Sequence, residues 1–134
     1  MEDLFIEATT TTPKILFYPN KNLFEISGSS RPEDVRIFYG PILIKLEQFR
    51  AEIAEKKYDY SDKPFVFNFK FNYFNSSSAK FILDILIEVN NFYNDGVNIQ
   101  VNWFFEDGDD DMKEVGEELT EMLDIQPQYI MIVK

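Results

Sequence analysis

The hydrophobic pattern of residues 65–86 changes its period half-way along, which predicts a strand followed directly by a helix. Up to position 73 aromatic side chains occupy every second position, as in a strand with one buried face: Phe65, Phe67, Phe69, Phe71 and Tyr73. After position 78 the apolar residues follow a helical spacing instead: Ile82, Ile85, Leu86, Val89 and Tyr93. Between the two patterns lies a polar segment at residues 75–78, Asn-Ser-Ser-Ser, which we call the hinge.

The pattern before this stretch predicts a short strand, a hairpin and a helix. Leu4–Ile6 is typical of a brief edge strand, and the apolar pieces at 14–18 and 23–27 are separated by a four-residue turn. Ser30-Arg31-Pro32-Glu33 has the form of a capping box, so we expect a helix to begin there and to reach about residue 56. Pro41 should kink or interrupt that helix, because proline has no backbone N–H to donate.

After the hinge helix the pattern predicts a strand, a helix and a strand. Residues 97–105 alternate in polarity, and residues 129–133 form a last apolar piece. The helix between them follows an acidic run and should carry one apolar face, composed of Met112, Val115, Leu119 and Met122. From position 65 onward the order is therefore strand, helix, strand, helix, strand.

Crossovers of this length make the three strands parallel, in right-handed units. Because each strand alternates apolar with polar residues, one face of the sheet should be covered by helices and the other should be partly open. We therefore expect a single two-layer α/β domain over residues 1–134, with a mixed sheet whose C-terminal half is a parallel β-α-β-α-β unit.

Charge and composition narrow the function. Thirteen basic and twenty-four acidic residues give a net charge of −11, which argues against nucleic acid or an anionic membrane as partner and favours a basic protein surface. The chain has no Cys and no His, which removes thiol and imidazole catalysis and the usual zinc sites. No stretch has the roughly 20 apolar residues of a membrane helix, and the N-terminus lacks the pattern of a signal peptide, so we expect a cytoplasmic protein.

The hinge is the strongest candidate site in the sequence. A helix start leaves its first backbone N–H groups unpaired, and Asn and Ser are preferred residues for capping them. One cap needs one side chain, so three consecutive serines exceed what capping requires. The residues alone favour capping, and they leave a phosphorylatable hydroxyl as the alternative.

An acidic run follows the next strand, so it should share the carboxyl edge of the sheet with the hinge: Glu106, Asp107, Asp109, Asp110 and Asp111. Acids in the first turn of a helix stabilise it without any ligand. A calcium loop is excluded because Met112 stands where that motif needs glycine, whereas an unspecific Mg²⁺ site stays open. Gly116, inside the predicted helix, suggests close approach of another group to its backbone.

Residues 73–86, which contain the hinge, resemble the strand–hinge–helix signature of the SiaC-like regulatory phosphoproteins. Three further pieces fit in the same order, namely Thr12-Pro13, residues 28–33 and residues 109–118. The resemblance covers nearly the whole chain. It implies a variant of the STAS fold of anti-sigma-factor antagonists, in agreement with the two-layer domain expected from the pattern.

The resemblance implies a non-enzymatic partner switch. In this family a dedicated kinase phosphorylates the hydroxyl residue directly after the hinge Asn, and a PP2C-type phosphatase reverses the modification. The unmodified form activates a target, which in the best-known system is a diguanylate cyclase. The acceptor position falls on Ser76, where the family has Thr, and Ser77 is the alternative acceptor.

Further hinge or partner-binding residues on this reading are Tyr73, Asn75, Ser77, Ser78, Asp107, Asp109 and Glu117. Ser77 or Ser78 would then cap the helix. We expect no catalytic residue, no metal and no cofactor, and the oligomeric state stays open. Two alternative functions remain: a STAS-like module that senses an anion or nucleotide at the helix start, and a Mg²⁺-dependent hydrolase built on Ser76 and the acidic run.

Overall fold

A computed structural model describes residues 1–133, and position 134, the last residue of the expected domain, lies outside them. Within the described residues the chain forms six strands and three helices. In chain order they are β1 Leu4–Ile6, β2 Lys14–Tyr18, β3 Leu23–Ser30, α1 Val35–Ala54, β4 Phe65–Phe74, α2 Ser76–Asn94, β5 Ile99–Glu106, α3 Asp110–Thr120 and β6 Gln128–Ile132.

The six strands form one sheet in which sequential order is also spatial order, from β1 to β6. β1, β2 and β3 pair antiparallel, and the turn between β2 and β3 is the short helical segment Pro19–Lys21 followed by Asn22. β3, β4, β5 and β6 pair parallel, because a helix carries the chain back across the sheet between each pair. The predicted mixed sheet and its parallel C-terminal half are confirmed.

All three helices contact the same face of the sheet, where the aromatic side chains lie. The ring of Phe17 on β2 lies 5.0 Å from that of Phe49 on α1, and Phe67 on β4 lies 5.4 Å from Phe92 on α2. Phe65, Phe67 and Phe69 are completely buried, as their alternation predicts. Burial of so many large rings supplies most of the driving force for folding, at roughly 25 cal/mol per Å² of apolar surface.

Polar side chains fill the opposite, open face of the sheet and are joined across three strands. The Asn102 amide donates to Asn68 Oδ1 at 2.9 Å, and the Asn68 amide donates to Glu25 Oε1 at 3.3 Å. Lys70 Nζ lies 3.1 Å from the same Glu25 oxygen. These partners explain how Glu25 can be buried although it lies outside the apolar core.

Helix α1 begins later than predicted and is not interrupted. Asp34, not Ser30, is its N-cap, and its carboxylate accepts hydrogen bonds from the backbone N–H groups of Arg36 and Ile37. Ser30 instead ends β3, where its side chain is buried. The helix continues through Pro41, and the preceding Gly40 has no Cβ to clash with the proline ring.

Two residues assigned to buried helix faces are exposed. Tyr93 is 50% exposed and its neighbour Phe92 is buried instead, while Met122 is 92% exposed because α3 ends at Thr120. Conversely, the charged residue Glu88 of α2 is buried, and Arg50 Nε of α1 lies 2.6 Å from its carboxylate. Packing of α1 against α2 at this point explains why a charged side chain is enclosed.

The close approach expected at Gly116 is made by Trp103 of β5. A Cβ atom at this position would lie 2.5 Å from atoms of the indole ring. The ring cannot easily move aside, because it is buried and its Nε1–H donates to the Met112 carbonyl oxygen at 2.9 Å. Gly116 therefore lets α3 lie directly on β5.

We predict that Gly116→Ala lowers the free energy of unfolding by about 1–3 kcal/mol in urea titrations, because the added methyl group overpacks this contact. Trp103→Val removes all the ring atoms that the methyl group would meet. In that background the cost of Gly116→Ala should fall by at least about 1 kcal/mol. An equal cost in both backgrounds would show that Trp103 is not the reason for the glycine.

Candidate functional site

The start of α2 is capped by Asn75, the first residue of the hinge. Its side-chain Oδ1 accepts a hydrogen bond from the Ser78 N–H at 2.9 Å, and its carbonyl oxygen accepts from the Ala79 N–H at 2.9 Å. Asn75 has the extended backbone of an N-cap, with φ −85° and ψ 174°. The prediction that Ser77 or Ser78 caps the helix is therefore wrong, because both already lie within its first turn.

Ser78 is fully buried and connects α2 with β3 and, through Ser30, with α1. Its Oγ accepts a hydrogen bond from Ser30 Oγ at 2.9 Å and donates to the Ser30 carbonyl oxygen at 3.1 Å. Tyr39 of α1 is hydrogen-bonded to the same Ser30 hydroxyl. Burial raises the pKa of the Tyr39 phenol above its ordinary value, so the phenol stays protonated and can donate to Ser30.

Ser30 also accepts a hydrogen bond from the hinge backbone. The Asn75 N–H donates to the Ser30 carbonyl oxygen at 3.1 Å, so that one residue at the end of β3 holds both ends of the four-residue hinge. We call Ser30, Tyr39 and Ser78 the hydroxyl cluster. Every member is buried, and the buried side-chain polar atoms of the described residues all have hydrogen-bond partners.

Ser76 and Ser77 differ from Ser78 in being exposed to solvent. They are the first two residues of α2, where backbone N–H groups have no partner within the helix. A phosphate at either hydroxyl would lie at the positive end of the helix dipole. Of the three hinge serines, these two are the ones a protein kinase could reach in this conformation.

The acidic run lies at the same edge of the sheet as the hinge, as predicted. β4 and β5 are parallel neighbours, and near their carboxyl ends the Asn72 amide donates to Glu106 Oε1 at 3.2 Å. Asp107 is exposed, and its N–H donates to the Ile132 carbonyl oxygen of β6 at 3.0 Å. The assignment of Tyr73 to the buried face of β4 is wrong: the register of β4 against β3 shifts just before it, and Tyr73 is 51% exposed, so aromatic surface adjoins the hinge.

Asp109 caps α3 by accepting a hydrogen bond from the Met112 N–H at 3.1 Å. Asp110 and Asp111 occupy the first turn of that helix, where their charge complements the dipole. Within residues 1–133, no group of three or more acidic, Cys or His side chains is placed to hold a metal ion. Glu117 is exposed on α3. Among the described residues, no hydrogen bond or ion pair joins its side chain to the hinge.

Sequence reasoning missed Ser30 and Tyr39. Ser30 is separated from Ser78 by 48 positions, and its pattern matched a capping box that is not formed. Tyr39 occurs in an apolar stretch where nothing distinguishes a hydrogen-bonding tyrosine from a packing one. A sequence signal for either would have required knowledge that β3 and β4 are neighbours.

A separate cavity of 620 Å³ lies at the opposite edge of the sheet. Its lining includes Arg50 and Asp95, whose side chains are 2.9 Å apart, and the aromatic residues Tyr58 and Tyr60. This cavity is remote from the hinge in the fold.

None of the helices that the structure describes is both long and apolar enough to cross a membrane.

A model of the SiaC family of regulatory phosphoproteins matches residues 6–132. The chain belongs to the SiaC family. An uncharacterised protein of Pseudomonas aeruginosa (strain UCBPP-PA14) is 26% identical to this SiaC-family protein over 121 residues, which cover 90% of each chain.

Solved structures show the same fold. Apo-SiaC of Pseudomonas aeruginosa matches with a TM-score of 0.81 at 24% identity, over 97% of this chain and 99% of that one. SiaC in a crystal structure with the diguanylate cyclase SiaD, which it activates, matches with a TM-score of 0.84 at 23% identity, over 97% of this chain and all of that one. The α/β fold with its mixed six-stranded sheet is thereby confirmed, and the relation to STAS domains stays a prediction.

We predict that Ser78→Ala lowers the free energy of unfolding by about 1–3 kcal/mol, because the Ser30 hydroxyl loses its acceptor in a buried site. The matched control is Ser77→Ala, one position earlier on the exposed side, which should change stability by less than about 0.5 kcal/mol. Chemical denaturation of the two variants measures the difference. Equal stabilities would contradict a structural role for the hydroxyl cluster.

Proposed function

We propose that this SiaC-family protein is a partner switch controlled by reversible phosphorylation of Ser76. The observation that carries the proposal is the division of the hinge: Asn75 caps, Ser78 is enclosed in the hydroxyl cluster, and Ser76 is exposed in the first turn of α2. The family resemblance favours the residue directly after the Asn. Ser77, also exposed, is the alternative acceptor.

The proposed partners are all proteins: a cognate serine/threonine kinase, a PP2C-type phosphatase and a downstream signalling target. The structure of the SiaC–SiaD complex supports a diguanylate cyclase as that target. On this proposal the chain itself catalyses nothing. Its hinge presents a hydroxyl and a helix start, which suit it to be a substrate and a ligand.

Electrostatics explains why the modification would turn binding off. Phosphoserine adds about 1.5–2 negative charges to a chain whose net charge is already −11. If Ser76 lies in the target interface, the dianion must be desolvated there, which costs several kcal/mol when no cation meets it. The helix dipole returns at most about 2 kcal/mol, and it does so in the free protein as well. The loss of affinity should therefore exceed about a hundredfold.

The other two candidate functions gain less support from the geometry. For a ligand-sensing module, the 620 Å³ cavity lies at the edge opposite the hinge. For a Mg²⁺-dependent hydrolase, Asp109 is already engaged as the cap of α3. Neither function explains why the hinge has two exposed serines in addition to its cap.

We predict that protein purified from its native cells carries an 80-Da modification on one hinge serine, located by phosphopeptide mass spectrometry (a phosphoryl group replaces the hydroxyl hydrogen). Ser76→Ala should abolish the modification and Ser77→Ala should leave it in place, because the two variants alter neighbouring exposed hydroxyls without touching the cap. If the modification persists in Ser76→Ala and disappears in Ser77→Ala, the acceptor is Ser77. A hinge that is never modified in either background would refute the switch.

A further inference from the structure

The two edge strands of the sheet differ in how they are protected. Each edge strand has a row of backbone N–H and carbonyl groups that no neighbouring strand uses, and such a row can pair with another chain. At one edge, β1 has only three residues and is flanked by the exposed acids Glu2, Asp3 and Glu7. A short strand among charged side chains is poorly suited to pair with a further strand.

The other edge strand, β6, lacks this protection. It has five residues, Gln128–Ile132, and its register against β5 is regular along its whole length. Residues 128–133 include no charged residue, no proline and no glycine. Three apolar side chains among them are exposed: Met131 by 48%, Ile132 by 39% and Val133 by 71%. An uncharged, apolar edge of this kind readily pairs with another strand.

One hydrogen bond shows which backbone groups of β6 are directed outward. The Ile132 carbonyl oxygen accepts from the Asp107 N–H at 3.0 Å, so the backbone groups of Ile132 are directed at the β5 side. Successive residues of a strand direct their N–H and carbonyl groups to opposite edges, so those of Tyr129 and Met131 are directed away from β5. An extended Val133 would do the same. Among residues 1–133, no strand pairs with this outer side of β6.

The layer of helices stops short of this edge. α3 lies on β5, where Gly116 meets the Trp103 ring and Lys113 Nζ lies 5.9 Å from the centre of the Phe105 ring. Met131 is the register partner of Phe105 and therefore projects on the same face of the sheet, yet it is 48% exposed. This leaves room beside β6 for another strand.

The sequence of β6 is complementary to itself in the antiparallel direction. If Met131 lies opposite its own copy, the other pairs are Tyr129 with Val133 and Ile130 with Ile132. Every pair is then apolar, and the outward backbone groups of residues 129–133 all find partners. Two chains with a net charge of −11 repel each other, but these pairs bring no two charges together.

We propose that two copies of this chain pair antiparallel through β6 and form one continuous sheet, with six strands from each copy. A twofold axis at Met131 makes the interface isologous, so each copy contributes the same residues. The self-complementary sequence of β6 is the reason for assigning the place to a second copy and not to a strand of another protein.

The pairing goes beyond the proposed switch and does not depend on it. The hinge follows β4, which lies two strands away from β6, so the interface does not use the hinge. Because the strands of the two copies run in opposite directions, the two hinges would lie at opposite edges of the dimer. A monomeric chain would leave the switch intact, since modification of Ser76 is measured separately in cells.

Sedimentation equilibrium of the purified full chain tests the pairing, at about 0.15 M salt to screen the repulsion between two acidic chains. The chain has a mass of 15.8 kDa. A species of twice that mass should predominate at the upper end of a concentration series from about 1 to about 100 µM. A monomer at every concentration would overturn the proposal.

Two substitutions of Met131 should disrupt the pairing in different ways. Met131→Lys places like charges opposite each other at the axis, and Met131→Pro removes an N–H that β5 does not use. Each should raise the dissociation constant of the dimer at least tenfold, while circular dichroism shows a folded chain. The matched control is Phe5→Lys, which makes the same change of charge at a side chain that is 56% exposed on the opposite edge strand. The proposal is wrong if both Met131 variants still dimerise, or if Phe5→Lys weakens the dimer as much.

Disulfide trapping locates the axis. The chain has no Cys, so Met131→Cys introduces a single thiol. Opposite residues of an antiparallel hydrogen-bonded pair have Cα atoms about 5.5 Å apart, a distance that a disulfide spans. Mild oxidation should convert Met131→Cys to a covalent dimer on a non-reducing gel, whereas Phe5→Cys should stay monomeric. Equal yields from the two variants would contradict an axis at Met131.

Discussion

The hydrogen bonds of Ser30 are the interaction on which the candidate site depends. Its carbonyl oxygen accepts from the Asn75 backbone and from the Ser78 hydroxyl, and its own hydroxyl donates to Ser78. The end of β3 therefore holds the hinge in position with backbone and side-chain bonds that are shielded from water. Because such bonds are costly to leave unmade in a buried site, the start of α2 is held in one conformation. On the proposed function, this helix start is the feature that both the kinase and the target would recognise.

Because of this arrangement, the three consecutive serines of the hinge have different roles: one hydroxyl is buried and structural, and two are accessible. One turn of helix directs Ser78 inward while Ser76 and Ser77 face solvent. Tyr39 extends the same cluster to α1, so α1 and the helix that begins at the hinge share one buried group of hydroxyls.

Much of the fold could be predicted from sequence, because its main signals are local and repeated. Five aromatic residues at alternate positions define β4, and the change of period at the hinge places α2 directly after it. The parts that could not be predicted depend on distant neighbours. The Ser30 pattern suits a helix cap equally well, and only the pairing of β3 with β4 assigns it to the hydroxyl cluster. Likewise Phe92, and not Tyr93, lies in the core, where its ring meets that of Phe67 on β4. The spacing of apolar residues within α2 carries no information about this neighbour on the sheet.

Binding of the target to protein with phosphoserine installed at position 76 tests the central claim most directly. The measurement is isothermal titration calorimetry with the proposed target, a diguanylate cyclase, in which the unmodified and the phosphorylated chain are compared in parallel. We predict an affinity at least about a hundredfold lower for the phosphorylated form. Equal affinity of the two forms would contradict a switch at this hinge.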